Sequence, residues 1–94
     1  LSGADLPCAE LSGANLREVC LEEARLCGAD LSCASMRGAK LRQADLSGAD
    51  LSGADLTGAK LEKTILRQAK VTPAQLAKAK YLIGVTMPDG SAHP

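Results

Sequence analysis

Aromatic side chains are almost missing from this sequence: among 94 residues there is no Phe, no Trp and a single Tyr, Tyr81. Such rings usually supply much of the buried area of a globular centre. The interior must instead be a narrow column of Leu and Ala. Net charge is missing too, because 11 Lys and Arg balance 11 Asp and Glu. That argues against a broad electrostatic partner such as nucleic acid or an anionic membrane. No apolar run approaches the ~18 residues of a membrane span, and no signal-peptide pattern is present. The single histidine, His93, stands in the tail, and no two of Cys8, Cys20, Cys27 and Cys33 make a C-x-x-C. A zinc site therefore lacks its ligand set. Without a base near paired acids there is no acid–base pair for catalysis either, so we expect neither an enzyme nor a bound cofactor.

What the sequence does contain is a period of five. It is plainest from Leu41 to Ala59, and cut from residue 1 it gives 14 units through Lys70. Leucine opens 13 of the 14, with Met36 the exception, and alanine stands fourth in 12, with Val19 and Thr64 the exceptions. On an α-helix five residues advance ~500°, so no apolar stripe forms. In a straight strand five is odd, so successive leucines would face opposite sides. A chain that turns a corner once per unit keeps every leucine inside, and a short fixed period of this kind marks a solenoid. Leucine fills the interior, while the inward alanine is small so that the coil can close. Glycine stands third in half of the units, as at Gly48, Gly53 and Gly58, where a tight turn calls for positive φ. Where Glu18, Glu23, Gln43, Lys63 or Gln68 stands there instead, a different turn type is expected.

The units Ala4-Asp5-Leu6, Ala14-Asn15-Leu16, Ala29-Asp30-Leu31, Ala44-Asp45-Leu46, Ala49-Asp50-Leu51 and Ala54-Asp55-Leu56 resemble the pentapeptide-repeat family. The resemblance implies an all-β solenoid, a right-handed quadrilateral β-helix with four units per coil. Over residues 1–70 that is about three and a half coils. The pattern changes at Val71, and residues 71–94 read as a cap and tail. Thr72 is placed as an N-cap, Pro73 at the first helical position and Gln75 as the partner in a capping box. Leu76, Ala79, Leu82 and Ile83 then fall on one helical face, with Gly84 as the stop. Such a helix would lie over the open end of the last coil. Met87-Pro88-Asp89-Gly90 reads as a turn and Ser91 to Pro94 as a loose tail. This ending resembles the terminal cap of cyanobacterial members and of repeat domains attached to larger regulatory proteins, kinases included. No kinase signature is present.

With four units per coil, residues twenty apart stack at ~4.8 Å, the ordinary strand spacing. Glu22, Arg42 and Glu62 then form a column of alternating sign, as do Asp5, Arg25 and Asp45, and each pair should help register. Two columns do not alternate. Glu10, Asp30 and Asp50 line one edge, ending at Lys70. Lys40 and Lys60 line the diagonally opposite edge, beside Arg17 and Arg37. These seven residues are the candidate interaction edges of a bipolar rod. The alternative is that repeat duplication copied a solvent-facing charge. Ser12, Ser32 and Ser52 form a hydroxyl column, but no base accompanies it.

The cysteines occupy three different unit positions. They read as reduced side chains of a cytoplasmic protein. A Cys8–Cys27 bridge between coils, in the periplasm or thylakoid lumen, is the alternative. The chain opens at Leu1 in register and without Met, which suggests a fragment or a processed product. Its first coil has no counterpart to the C-terminal cap, so either the chain continues there or two copies meet end to end. The expected function is a non-enzymatic structural or interaction module for an unidentified protein partner, standing alone or in a larger regulatory protein. The alternative implied by the resemblance is a DNA-mimicking gyrase-binding protein. That calls for a long acidic rod, often with interior Phe, and this chain is short, neutral and without Phe.

Overall fold

The computed structural model describes residues 3–92. Its organising feature is a ladder of single parallel bridges between residues twenty apart, running Asp5–Arg25–Asp45, Glu10–Asp30–Asp50–Lys70, Asn15–Ser35–Asp55 and Cys20–Lys40–Lys60–Lys80. Four bridged columns therefore run down the four sides, a turn at the second and third positions of each unit makes the corner between them, and each coil is stitched to the next. Around every bridge the fifth residue of a unit donates to the coil below, as Asp45 N–H does to the Ala24 carbonyl at 2.9 Å. The first and third residues donate to the coil above, as Leu46 does to Ile65 and Gly48 to Arg67, both at 2.8 Å. The fourth residue closes the corner, Ala49 N–H reaching the Leu46 carbonyl at 3.0 Å. Only the second residue lacks a backbone acceptor in this pattern, a detail that returns below.

The first and fourth positions face inward as their chemistry requires. Leu21 to Leu66 at the first position and Ala24 to Ala69 at the fourth form one column of buried side chains, with Met36 accommodated at 0% exposure. Thr64 replaces an inward alanine and is wholly buried. Its hydroxyl donates to the Leu41 carbonyl at 2.6 Å, so the polar group is satisfied inside the column.

The corners correct one expectation. Every third position has positive φ, whether or not it is glycine. Gly48 and Gly53 have φ of 69° and 70°, while Glu18, Glu23, Gln43, Lys63 and Gln68 have φ between 57° and 62°. The substituted units use the same turn rather than a different one. The ladder fixes the corner, and the side chain is forced into the left-handed region at a cost of ~1–2 kcal/mol. Gly48→Ala should therefore destabilise by ~1 kcal/mol although its new Cβ would meet nothing closer than 4.0 Å. Gln43→Gly should be neutral or stabilising. Urea midpoints of the two variants would test this, and equal and opposite signs are not required.

The C-terminal end differs from expectation in three ways. The capping box is present, with Thr72 as N-cap, Pro73 in the first turn and Gln75 bonded back to Thr72 N–H at 2.8 Å. The helix itself, α1, spans only Pro73–Ala77, so Leu82 and Ile83 lie outside it and Ile83 is 67% exposed. It stops early because coil pairing resumes, with Lys80 bridging Lys60 and Thr86 bridging Ile65. The helix thus replaces a side of the fourth coil rather than lying across the end. The Gln75 side-chain amide donates to the Leu51 and Ala54 carbonyls at 2.7 and 2.9 Å, at Ala54 taking the place of the ladder N–H that the helix has diverted. Gly84 (φ 76°) and Tyr81 (φ 56°) turn the next corner, where one extra residue shifts the bridge spacing from twenty to twenty-one. Finally, Ser91 and Ala92 are not loose. Met87 N–H bonds the Ser91 carbonyl at 2.7 Å and Ala92 pairs antiparallel with Thr86, beyond the expected turn at 87–90. His93 and Pro94 lie outside the described residues. Val85 and Leu76 are buried beneath this closure, with Val71, Leu82 and Met87 packed beside them.

Candidate interaction surface

The ladder places five of the seven candidate residues on two opposite sides, with Arg17 and Arg37 at the turn beside the second. Glu10, Asp30, Asp50 and Lys70 are joined by consecutive bridges on one. On the other, Lys40 and Lys60 are joined, and the column continues to Lys80. Lys80 was hidden in the sequence because it lies beyond the last recognisable unit. Twenty-residue spacing carried past Val71 would have found it.

The two columns differ in what holds them. The acidic one has a local purpose. Asp30 accepts from Ser32 N–H and hydroxyl at 3.0 and 2.7 Å, both on Oδ1, and Asp50 accepts from Ser52 N–H at 2.9 Å. Asp45 with Ser47 and Asp55 with Thr57 repeat the arrangement. The donor is the second-position N–H that the coil leaves without a backbone acceptor. The fifth-position aspartate and second-position hydroxyl are thus a corner clasp. This also accounts for the serines: Ser12 and Ser32 touch at 3.1 Å, but the hydroxyl of Ser32 is committed to Asp30.

These clasps make acid sensitivity predictable. Bonds from Ser52 to Asp50 and from Thr57 to Asp55 hold both carboxyls below their usual value of 3.8, and Ser91 does the same to Asp89. For Asp45, burial works against ionisation, but bonds from Ser47 and Cys27 outweigh it and the net shift is downward. Since the folded values are depressed, the unfolded chain binds more protons near pH 3–4, and stability rises with pH there. The contribution is present above the unfolded value and lost as pH falls through the folded ones. Melting temperature should therefore drop between pH 5 and pH 2.5. Asp50→Asn with Asp55→Asn should flatten that drop, and an unchanged profile would contradict the clasp.

The alternating columns stack as expected, with Arg25 bridged to Asp5 and Asp45. They do not close into ion pairs, however. Among the described residues the one ion pair is Arg37 Nη1 to Asp55 Oδ2, at 4.0 Å. Carboxylates such as Asp45 are turned into their own corner clasps, so hydrogen bonding rather than charge holds the register. The four cysteines form no disulfide among the described residues. Cys8 stacks over Gly28 rather than over Cys27: a Cβ added at Gly28 would lie 3.5 Å from the Cys8 sulfur. Burial, then the bond and charge of Asp45, pushes the Cys27 thiol above its usual value.

Beside the basic column the surface opens into a groove of about 700 Å³. Lys40, Lys60 and Lys80 form one wall, Arg17 and Arg37 the other, and Gly38 and Gly58 the floor. Arg17 is steadied by a bond from Nε to the Ser35 hydroxyl at 3.1 Å. Among the described residues no cluster of His, Cys, Asp and Glu could hold a metal ion.

Comparison with known proteins places this geometry. The family described as pentapeptide repeats matches in 8 copies, over residues 1–32 and 34–72. The chain is a pentapeptide-repeat protein. Its family implies the right-handed β-helix solenoid that the twenty-residue ladder fits. Among solved structures, the pentapeptide-repeat protein alr5209 from Nostoc PCC 7120 is 36% identical at a TM-score of 0.51, over 88% of this chain and 64% of that one. HetL, involved in heterocyst differentiation regulation in Nostoc sp. strain PCC 7120, is 32% identical over 99% of this chain and 63% of its own, at a TM-score of 0.37. Rfr23 from Cyanothece 51142 is 28% identical over 97% of this chain and 61% of its own, at 0.47. This pentapeptide-repeat protein thus spans rather less than two thirds of each relative's length. No curated protein matches it.

Proposed function

We propose that this chain is a non-enzymatic protein-interaction module whose charged edges are the contact surface. In this reading it is a right-handed, four-sided solenoid over residues 1–70, closed by residues 71–94, and it works in the cytoplasm, either alone or as part of a larger regulatory protein. One observation carries the reading. The side chains of Lys40, Lys60 and Lys80 stand exposed on a rigid hydrogen-bonded ladder, and the fold itself makes no use of them. A DNA-mimicking gyrase ligand is less well supported, since that role calls for a long acidic rod. Here the acidic column is three residues long, and its aspartates are engaged in corner clasps.

Affinity capture from a source-cell lysate tests the reading, with Asp30/Asp50 and Lys40/Lys60 reversed in charge as separate controls. A partner lost with one edge and kept with the other supports the module. The absence of any specific partner would count against it. The reading also includes end-to-end pairing of two copies through the first coil, where Leu6, Ala9, Leu11 and Ala14 are only half-buried. Sedimentation equilibrium that finds only monomer at high concentration would remove that part.

A further inference from the structure

The acidic and basic edges are equally regular, but only one is explained by the fold. Asp30 and Asp50, two of the three acids of that column, clasp their own corners. On the opposite edge Lys40, Lys60 and Lys80 are stacked directly on one another by consecutive bridges. Like charges in opposed positions cost free energy, and among the described residues none of the three lysine side chains makes a hydrogen bond or ion pair. No intramolecular contact offsets their repulsion. An anion from outside would.

We propose that the glycine-floored groove binds an extended acidic peptide segment of a partner protein, lying along the coil axis between the lysine wall and the Arg17–Arg37 wall. This rests on the interaction-module reading and specifies its face and partner. From Lys40 to Lys80 is two ladder steps, ~9.6 Å. An extended peptide at ~3.3 Å per residue covers that with three or four residues. Gly58 lets its backbone approach the floor, since no side chain rises there. The groove has a direction. Glu18 lies over Gly38, its Cγ 3.2 Å from where a Cβ at Gly38 would stand, and it closes the N-terminal end of the groove with a negative charge. The acids of the ligand therefore lie toward Lys60 and Lys80.

A peptide fits better than the other polyanions. Single-stranded nucleic acid is held largely by bases stacked on aromatic rings, and no ring lines this groove. Small phosphorylated ligands are usually enclosed in concave pockets with buried polar groups. This groove is open, and its cations Arg17, Arg37, Lys40, Lys60 and Lys80 are exposed.

The test uses the full chain, isotope-labelled, titrated with an octaglutamate peptide at low salt and followed by amide chemical shifts. Octaglutamate is expected to move resonances at residues 37–40, 57–60 and 78–80. Lys40→Glu with Lys60→Glu should weaken binding at least tenfold, while Lys63→Glu with Arg67→Glu, both outside the groove, should change it less than threefold. Glu18→Gln should strengthen it about twofold to fivefold. Melting curves of all variants must match the parent's, and Lys40→Gln/Lys60→Gln serves if the reversal unfolds the protein. Three results overturn the proposal: no shifts with octaglutamate, equal loss in both double variants, or tighter binding of an eight-nucleotide thymidine strand or of tripolyphosphate than of the peptide. If octaglutamate fails while a lysate partner is still captured through Asp30/Asp50, the groove falls and the module stands. If octaglutamate and capture both fail, both fall.

Discussion

Deleting Gln43 alone should abolish folding, whereas duplicating residues 41–60 in place should leave a folded and more stable protein. The deleted side would have four residues. It could not keep Leu41 and Ala44 inside, place a left-handed corner between them and still bring Asp45 to its bridge with Arg25 and Ile65. Every later leucine would leave the column. The duplicate, by contrast, joins Lys60 to a second Leu41 in register and adds one complete coil. In a stack whose coils contact only their neighbours, stability is close to a sum of coil and interface terms. The added coil should therefore raise the melting temperature. The fold already shows which error it tolerates: the extra residue between Lys80 and Thr86 is absorbed before Ile83, at the exposed Tyr81, near the end of the stack. Circular dichroism and thermal melts of the two variants decide the matter. A Gln43 deletion that melts cooperatively near the parent's temperature would refute the four-sided register.

Leu46→Ala should cost ~3 kcal/mol, within the ~2–5 kcal/mol usual for a buried leucine. Leu46 is wholly buried in the middle of the column, one coil from Leu26 and from Leu66. The backbone around it is tied by ladder bonds above and below, Leu46 N–H to the Ile65 carbonyl and Leu26 N–H to the Asp45 carbonyl, so the cavity has little room to collapse. For a domain of this size the melting temperature should fall by ~12–24 °C. The same rigidity predicts the converse at the inward alanines. Ala44→Leu adds volume where Ala24, Ala44 and Thr64 stack without exposure, and overpacking of this kind costs ~1–3 kcal/mol. Leu11→Ala, on the half-buried first coil, should cost distinctly less than Leu46→Ala. Equal losses at the two sites would mean that the core is not the continuous column described.

Much of this architecture could be read from the chain because inward positions tolerate so little. Leu41, Ala44, Leu46 and Ala49 repeat since each coil meets the same two constraints, a filled centre and a closed corner. The left-handed third position was half legible. Gly48 announces it, but Gln43 and Lys63 conceal it, because the ladder imposes a conformation that their side chains do not favour. The Thr72–Gln75 cap was legible as a local signal. Where the helix stops was not, since Lys80 and Thr86 return to the ladder through contacts sixty residues of pattern had not prepared for. The charged edges were found by counting in twenties. Their difference in kind could not be found that way, because it depends on which carboxylate oxygens already have a donor.

That the molecule is a ladder of identical corners, leaving chosen side chains unused for recognition, is tested most directly by residue-resolved amide hydrogen exchange. Protection should repeat with a period of five through residues 21–66. First-, third-, fourth- and fifth-position amides such as Leu41, Gln43, Ala44 and Asp45 should exchange slowly, with Gly53 and Leu56, beneath the side that α1 replaces, as the exceptions. Arg37, Arg42 and Glu62, which follow no clasping aspartate, should be fast, while Ser47, Ser52 and Thr57 should be slowed by their aspartates. A continuous block of protection without that period, or uniformly fast exchange along the chain, would contradict the account.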